Sequence, residues 1–137
     1  MMKVNQKKQS PIYVVVALVL VGIIFLVTRT ESTIVVREDY IKISGFYGRE
    51  IQGEEINSVS LEETIPKIVR RTNGIGLGSI QKGNFRLENI EKAKLYLHSK
   101  EGPYILIDTN KEVLIINYRD SEKTKGVYEE ILSVLNQ

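Results

Sequence analysis

The chain has 137 residues, 42% of them hydrophobic and 26% charged, with a formal net charge of +2. Residues 1–30 hold four cations and no acid, whereas residues 31–137 hold fifteen Lys/Arg against seventeen Asp/Glu, a balance of −2. That acidic remainder excludes a charge-driven nucleic-acid binder, and the lack of cysteine excludes disulfides and thiolate metal sites.

The first ten residues form a basic tail with Lys3, Lys7 and Lys8. Residues 11–28, PIYVVVALVLVGIIFLVT, carry no charge, and thirteen of the residues from Ile12 to Val27 are Ile, Leu, Val or Phe. At about −0.3 to −0.6 kcal/mol each, these favour bilayer insertion by roughly 4 to 8 kcal/mol as an upper estimate. Eighteen helical residues rise about 27 Å, close to the thickness of a hydrocarbon core. The competing readings are a buried core segment and a cleaved signal peptide. The following TRTES lacks a small-x-small cleavage pattern, so an uncleaved signal anchor is expected. Lys3, Lys7 and Lys8 before the span balance Arg29, Arg37 and Lys42 after it. The short basic tail then favours an N-terminus inside the cell and a domain outside.

Residues 29–33 read as a polar linker, and residues 34–137 as one β-rich domain. Thr33–Arg37 and Tyr40–Ser44 are β-branched runs parted by Glu38-Asp39. Gly45, Gly48 and Gly53 keep the next strands short, at Gly48–Gln52 and Ile56–Leu61. In Ala93–His98, Ala93, Leu95 and Leu97 alternate with Lys94, Tyr96 and His98, which are expected on the outer face. Tyr104–Asp108 and Val113–Tyr118 flank a turn at Thr109–Glu112, where Asn110 suits a positive φ. From Asp120 or Ser121 the period changes to that of a helix, with Thr124, Val127, Tyr128, Ile131, Leu132 and Leu135 on one stripe. The expected architecture is an antiparallel sandwich or partly open barrel of about seven strands, capped by the C-terminal helix.

The stretch RRTNGIGLGSIQKGNF, Arg70 to Phe85, has the composition of a phosphate loop. It fails both nucleotide patterns: Ser79 and Gln81 stand where a dinucleotide fingerprint needs glycine, and Asn84-Phe85 replaces the Lys-Ser/Thr pair of a Walker loop. The plain reading makes Asn73-Gly74 and Gly83-Asn84 two turns. A ligand-binding reading rests on Lys67, Arg70, Arg71, Lys82 and Arg86, five cations with no acid between Pro66 and Leu87. On an anionic surface these would contribute up to about 1 kcal/mol each.

Catalytic groups are scarce. His98 is the only histidine, and the paired acids Glu54-Glu55 and Glu62-Glu63 face opposite sides of any strand they occupy. No active site, metal site or cofactor is expected.

The stretches YIKISGFYGREI (Tyr40–Ile51), RTNGIGLGSIQKGNFRL (Arg71–Leu87), KAKLYL (Lys92–Leu97), GPYILI (Gly102–Ile107) and VLIIN (Val113–Asn117), with the closing helix, resemble the bacterial PH domain family. The resemblance covers roughly Thr33 to Leu135. It implies two packed antiparallel sheets capped by the helix, and no enzymatic activity. Together with the span, this makes the expected function that of a membrane-tethered, noncatalytic binding module that engages a protein partner or forms a homo-oligomer. The alternative is an anionic lipid or other anion held by the basic stretch. Against inositol-lipid recognition, the first strand-to-strand connection, Arg37-Glu38-Asp39, is acidic rather than basic.

Overall fold

The computed structural model describes residues 10–135, so the expected basic tail with Lys3, Lys7 and Lys8 lies outside the described residues. The chain divides between Thr30 and Glu31 into two units.

The first unit is the helix α1, Pro11–Arg29, with its proline in the opening turn. Proline there costs nothing, because a first-turn N–H has no helical acceptor. Its mean hydropathy is 2.8, and it is long and apolar enough to cross a membrane. Ile, Leu, Val and Phe occur all round it, so no polar face separates from an apolar one.

The second unit contains nine strands, β1 (Ile34–Val36), β2 (Tyr40–Ile43), β3 (Arg49–Gln52), β4 (Ile56–Glu62), β5 (Ile68–Leu77), β6 (Ile80–Leu87), β7 (Ile90–Leu97), β8 (Tyr104–Thr109) and β9 (Val113–Ile116), followed by the helix α2 (Ser121–Leu135). They form a three-stranded sheet, β1-β2-β3, and a six-stranded sheet, β4-β8-β9-β7-β6-β5. The mainly β architecture matches the expectation, with two more strands and one parallel pair, β7 with β9. The extra strands come from the glycine-rich stretch, which forms a long hairpin.

Five inter-strand gaps of about 4.8 Å would hold the rims of a flat six-stranded sheet about 24 Å apart. The link from Glu62 to Ile68 reaches only about 20 Å, and it must also travel along the strands. The sheet is therefore curled, with the link drawn across one of its faces. Ile65 from that link packs with Phe85, Leu87, Ala93, Leu95, Leu97, Tyr104 and Ile115. The other face packs against the small sheet and α2 through Ile41, Ile43, Ile51, Tyr96, Ile105, Ile107, Leu114, Ile116 and Ile131. Strands β8 and β9 are thus covered on both faces, which is why they read as near-continuous apolar runs.

Helix α2 starts where Asp120 accepts a hydrogen bond from the Glu122 N–H through Oδ1, at 2.9 Å; Asp120 is therefore the cap. Val127, Tyr128, Ile131 and Leu135 of the expected stripe pack on the core. The turn after β8 is held by Thr109, whose hydroxyl donates to the Glu112 carbonyl at 2.7 Å. The positive φ expected at Asn110 does not occur there; among the described non-glycine residues it occurs at Tyr47, φ 62°, and Asn89, φ 68°.

Candidate functional site

The expected ligand stretch is the β5–β6 hairpin. Its turn is at Gly78, φ +59°, and the two pairs read as turns lie opposite each other in the ladder, Asn73 with Asn84 and Gly74 with Gly83. Their glycines serve close approach. A Cβ on Gly83, φ +113°, would stand 2.6 Å from the Asn73 carbonyl oxygen and 3.2 Å from the Tyr47 ring. The β2–β3 turn therefore rests its tyrosine on a bare patch of hairpin backbone. Tyr47 in turn receives the Tyr96 hydroxyl on its carbonyl oxygen, at 2.6 Å, and donates its own hydroxyl to Asn73 Oδ1 at 3.4 Å, so hydrogen bonds tie the turn to the sheet.

Strand register places the five cations. Arg70 is directly opposite Arg86, so both lie on one face; Arg71 is opposite Phe85, on the other. Lys67 immediately precedes β5, and these four side chains are exposed. Among the described residues none of the four makes an ion pair. Lys82 departs from the expected set. It lies opposite Tyr96 and is 1% exposed, because its end of the β6 face that bears it is covered, whereas Arg86 further along the strand is exposed. Burial lowers its pKa, aided by Arg119 and opposed by Glu31. The hairpin thus offers four accessible cations divided between two faces, where the sequence had offered five on one loop.

His98 is the second correction. It is 3% exposed, not on an outer face, and neither ring nitrogen has a hydrogen-bond partner. Asn117 fixes its backbone by accepting from the His98 and Ser99 N–H groups at 2.8 and 3.2 Å. Burial, then repulsion from Lys82 and Arg119, bring its pKa down from 6.5 to about 4, Glu31 acting in the opposite direction. The ring is therefore neutral near pH 7, and no carboxylate or hydroxyl orients it as a triad would require. The paired acids do not converge, though Glu54 and Glu55 lie in a 3-10 turn, Gly53–Glu55, rather than in a strand: Glu55 binds Arg49 at 2.6 Å, while Glu54 is exposed. Glu62 and Glu63, both exposed, end and follow β4. Among the described residues no three His, Asp or Glu side chains gather as a metal site needs.

One feature had no signal in the sequence. A cleft of about 660 Å³ lies between the β4–β5 link, the hairpin tip and the β7–β8 connection, lined among others by Ile65, Lys67, Gly78, Leu97, Lys100 and Tyr104. Its size is that of a small-ligand pocket. Its walls come from segments far apart in sequence, so no local motif announces it.

A family model described as bacterial PH domain matches residues 32–130. Comparison with curated proteins and with solved structures returned no match. The matched residues take in all nine strands and most of α2, which is the architecture just described, and the chain belongs to the bacterial PH domain family.

Proposed function

We propose that this protein is a noncatalytic binding module tethered to the bacterial membrane by α1, with its head outside the cell engaging a protein partner or another copy of itself. The observation that carries the reading is the union of a PH-family head with an uninterrupted apolar helix. The large side chains of α1 from Ile12 to Val27 are exposed, and a bilayer is the solvent that accepts such a surface. Membership in the family supports binding over chemistry, and a tether raises the local concentration of anything held in the same membrane. The test is alkaline carbonate extraction of cells expressing the chain with an N-terminal tag, followed by protease treatment of intact cells. The tag staying with an unextractable full-length chain, and the head being digested from outside, is the expected result. Recovery of a soluble chain shortened by about thirty residues would identify α1 as a removed signal instead.

Anionic lipid binding is the second reading, favoured by the four exposed cations Lys67, Arg70, Arg71 and Arg86, none of which makes an ion pair among the described residues. At about 1 kcal/mol each they supply about 4 kcal/mol if all reach the bilayer; their division between two faces lowers that to about half. Flotation of a chain beginning at Glu31, freed of α1, with anionic but not zwitterionic vesicles, abolished by R70E/R71E with melting unchanged, is the outcome this reading requires.

A further inference from the structure

The two rims of the six-stranded sheet carry opposite charge. β5, ten residues long, is bonded only to β6, and β4, seven residues long, only to β8, so each has one side that no strand of the described sheet pairs, the start of β4 lying near Leu132 and Leu135 of α2. The β5 rim begins with Lys67, Arg70 and Arg71; the β4 rim ends with Glu62 and Glu63. All five are exposed, and among the described residues none makes an ion pair. Among the described residues outside α1, the exposed large hydrophobic ones are Phe46, Val69 and Leu77, and two of these three stand on β5.

We propose that β5 of one copy adds to β4 of a second copy as an antiparallel strand, continuing the six-stranded sheet from head to head. This rests on the reading of the head as a binding module and names its partner. Antiparallel pairing sets the start of one strand against the end of the other, which brings Lys67, Arg70 and Arg71 to Glu62 and Glu63. Parallel pairing would bring them to Glu54 and Glu55 at the start of β4, where Glu55 is already held by Arg49. Pairing β5 with β5 meets no carboxylate at all.

The faces matter as well as the ends. Arg70 and Arg71 lie on opposite faces of the ladder, and Glu62 closes β4 while Glu63 stands at the bend just beyond it. An added strand meets both faces, whereas a flat bilayer meets one; this favours the strand over a lipid surface. Register shifts between Ile68 and Arg70 and between Arg71 and Asn73 interrupt β5. Such bulges restrain edge pairing, so the contact is weak in solution and gains its occupancy from confinement in one membrane. Two different patches meet, so the assembly grows as rings or rows.

The chain has no cysteine, so one introduced at exposed Ser133 of α2 takes a donor or an acceptor dye cleanly. Full-length labelled chains in phosphatidylcholine vesicles are expected to show energy transfer. R70E/R71E alone and E62K/E63K alone each weaken it by about tenfold or more, and mixing the two variants restores it, because each then supplies the charge the other needs. The neutral pair R70Q/R71Q gives an intermediate loss, with melting of every variant as the folding check. No transfer in the native chain, transfer untouched by charge reversal, or no recovery on mixing overturns self-pairing. A native chain that stays monomeric yet remains unextractable leaves the module reading standing while this inference falls.

Discussion

His98 is a neutral imidazole surrounded by charge: Lys82 from β6, Arg119 from the β9–α2 link, Lys123 from α2, and Glu31 before β1 all act on it. Its folded pKa, about 4, lies below the unfolded value of about 6.5. Above about pH 6.5 both states are neutral and the histidine contributes no pH dependence. Between there and about pH 4 the unfolded chain takes up a proton that the folded chain refuses, so stability falls as pH falls, by about 3 kcal/mol at most. Melting followed from about pH 7.5 to 4.5 is expected to show that decline, and His98→Gln to flatten it; a parallel decline in the variant would assign the effect elsewhere. Gly83 makes the second test at this scale. Its φ of +113° and the 2.6 Å approach to the Asn73 oxygen leave no room for a methyl group between two backbones. Gly83→Ala is expected to cost about 2 kcal/mol or more, read from denaturant midpoints.

Helix α2 shows the opposite glycine. Gly126 has nothing within 4 Å of where a Cβ would stand, and it lies inside the helix, where glycine costs backbone entropy without relieving any contact. Gly126→Ala is therefore expected to stabilise the protein by about 0.5 to 1 kcal/mol, an increase in melting temperature where Gly83→Ala gives a decrease. The β-hairpin of β5 and β6 explains why equal residue types behave so differently: Gly74 and Gly83 face each other in a ladder, while Gly126 faces solvent. At the same scale, Arg49 joins three elements by pairing with Glu55 before β4 and with Glu112 before β9. Sequence spacing gave no sign of that junction, because its acids lie 6 and 63 residues away.

For the whole molecule, the division between Thr30 and Glu31 separates the proposed anchor from the head that carries the family match. A chain beginning at Glu31 is expected to leave the membrane fraction while keeping a β-type far-UV spectrum; a head that stayed bound to membranes would make the four exposed cations, rather than α1, the main attachment. Self-pairing through the sheet rims belongs to this scale too, since β4 and β5 are rims only because of how all six strands are ordered.

The uncharged run, the strands other than β5 and β6, the change of period at Ser121 and the stripe through Ile131 were legible because each is a local pattern, repeated within a few residues of itself. The sequence also determined that no cysteine chemistry is present. Only the tertiary structure decided which strand faces are covered. Alternation in Ala93–His98 identifies two faces but not what lies over each, and a sheet packed on both sides buries Tyr96 and His98 as fully as Leu95 and Leu97. The same ambiguity carried Lys82 into the exposed set. Likewise, Asn73-Gly74 and Gly83-Asn84 have turn chemistry, but glycine also serves wherever two backbones must touch, and that need is set by the partner strand across the hairpin. The open rims, the cleft beside the hairpin and the parallel β7–β9 pair follow from strand order, which depends on long-range pairing that no local window of residues records.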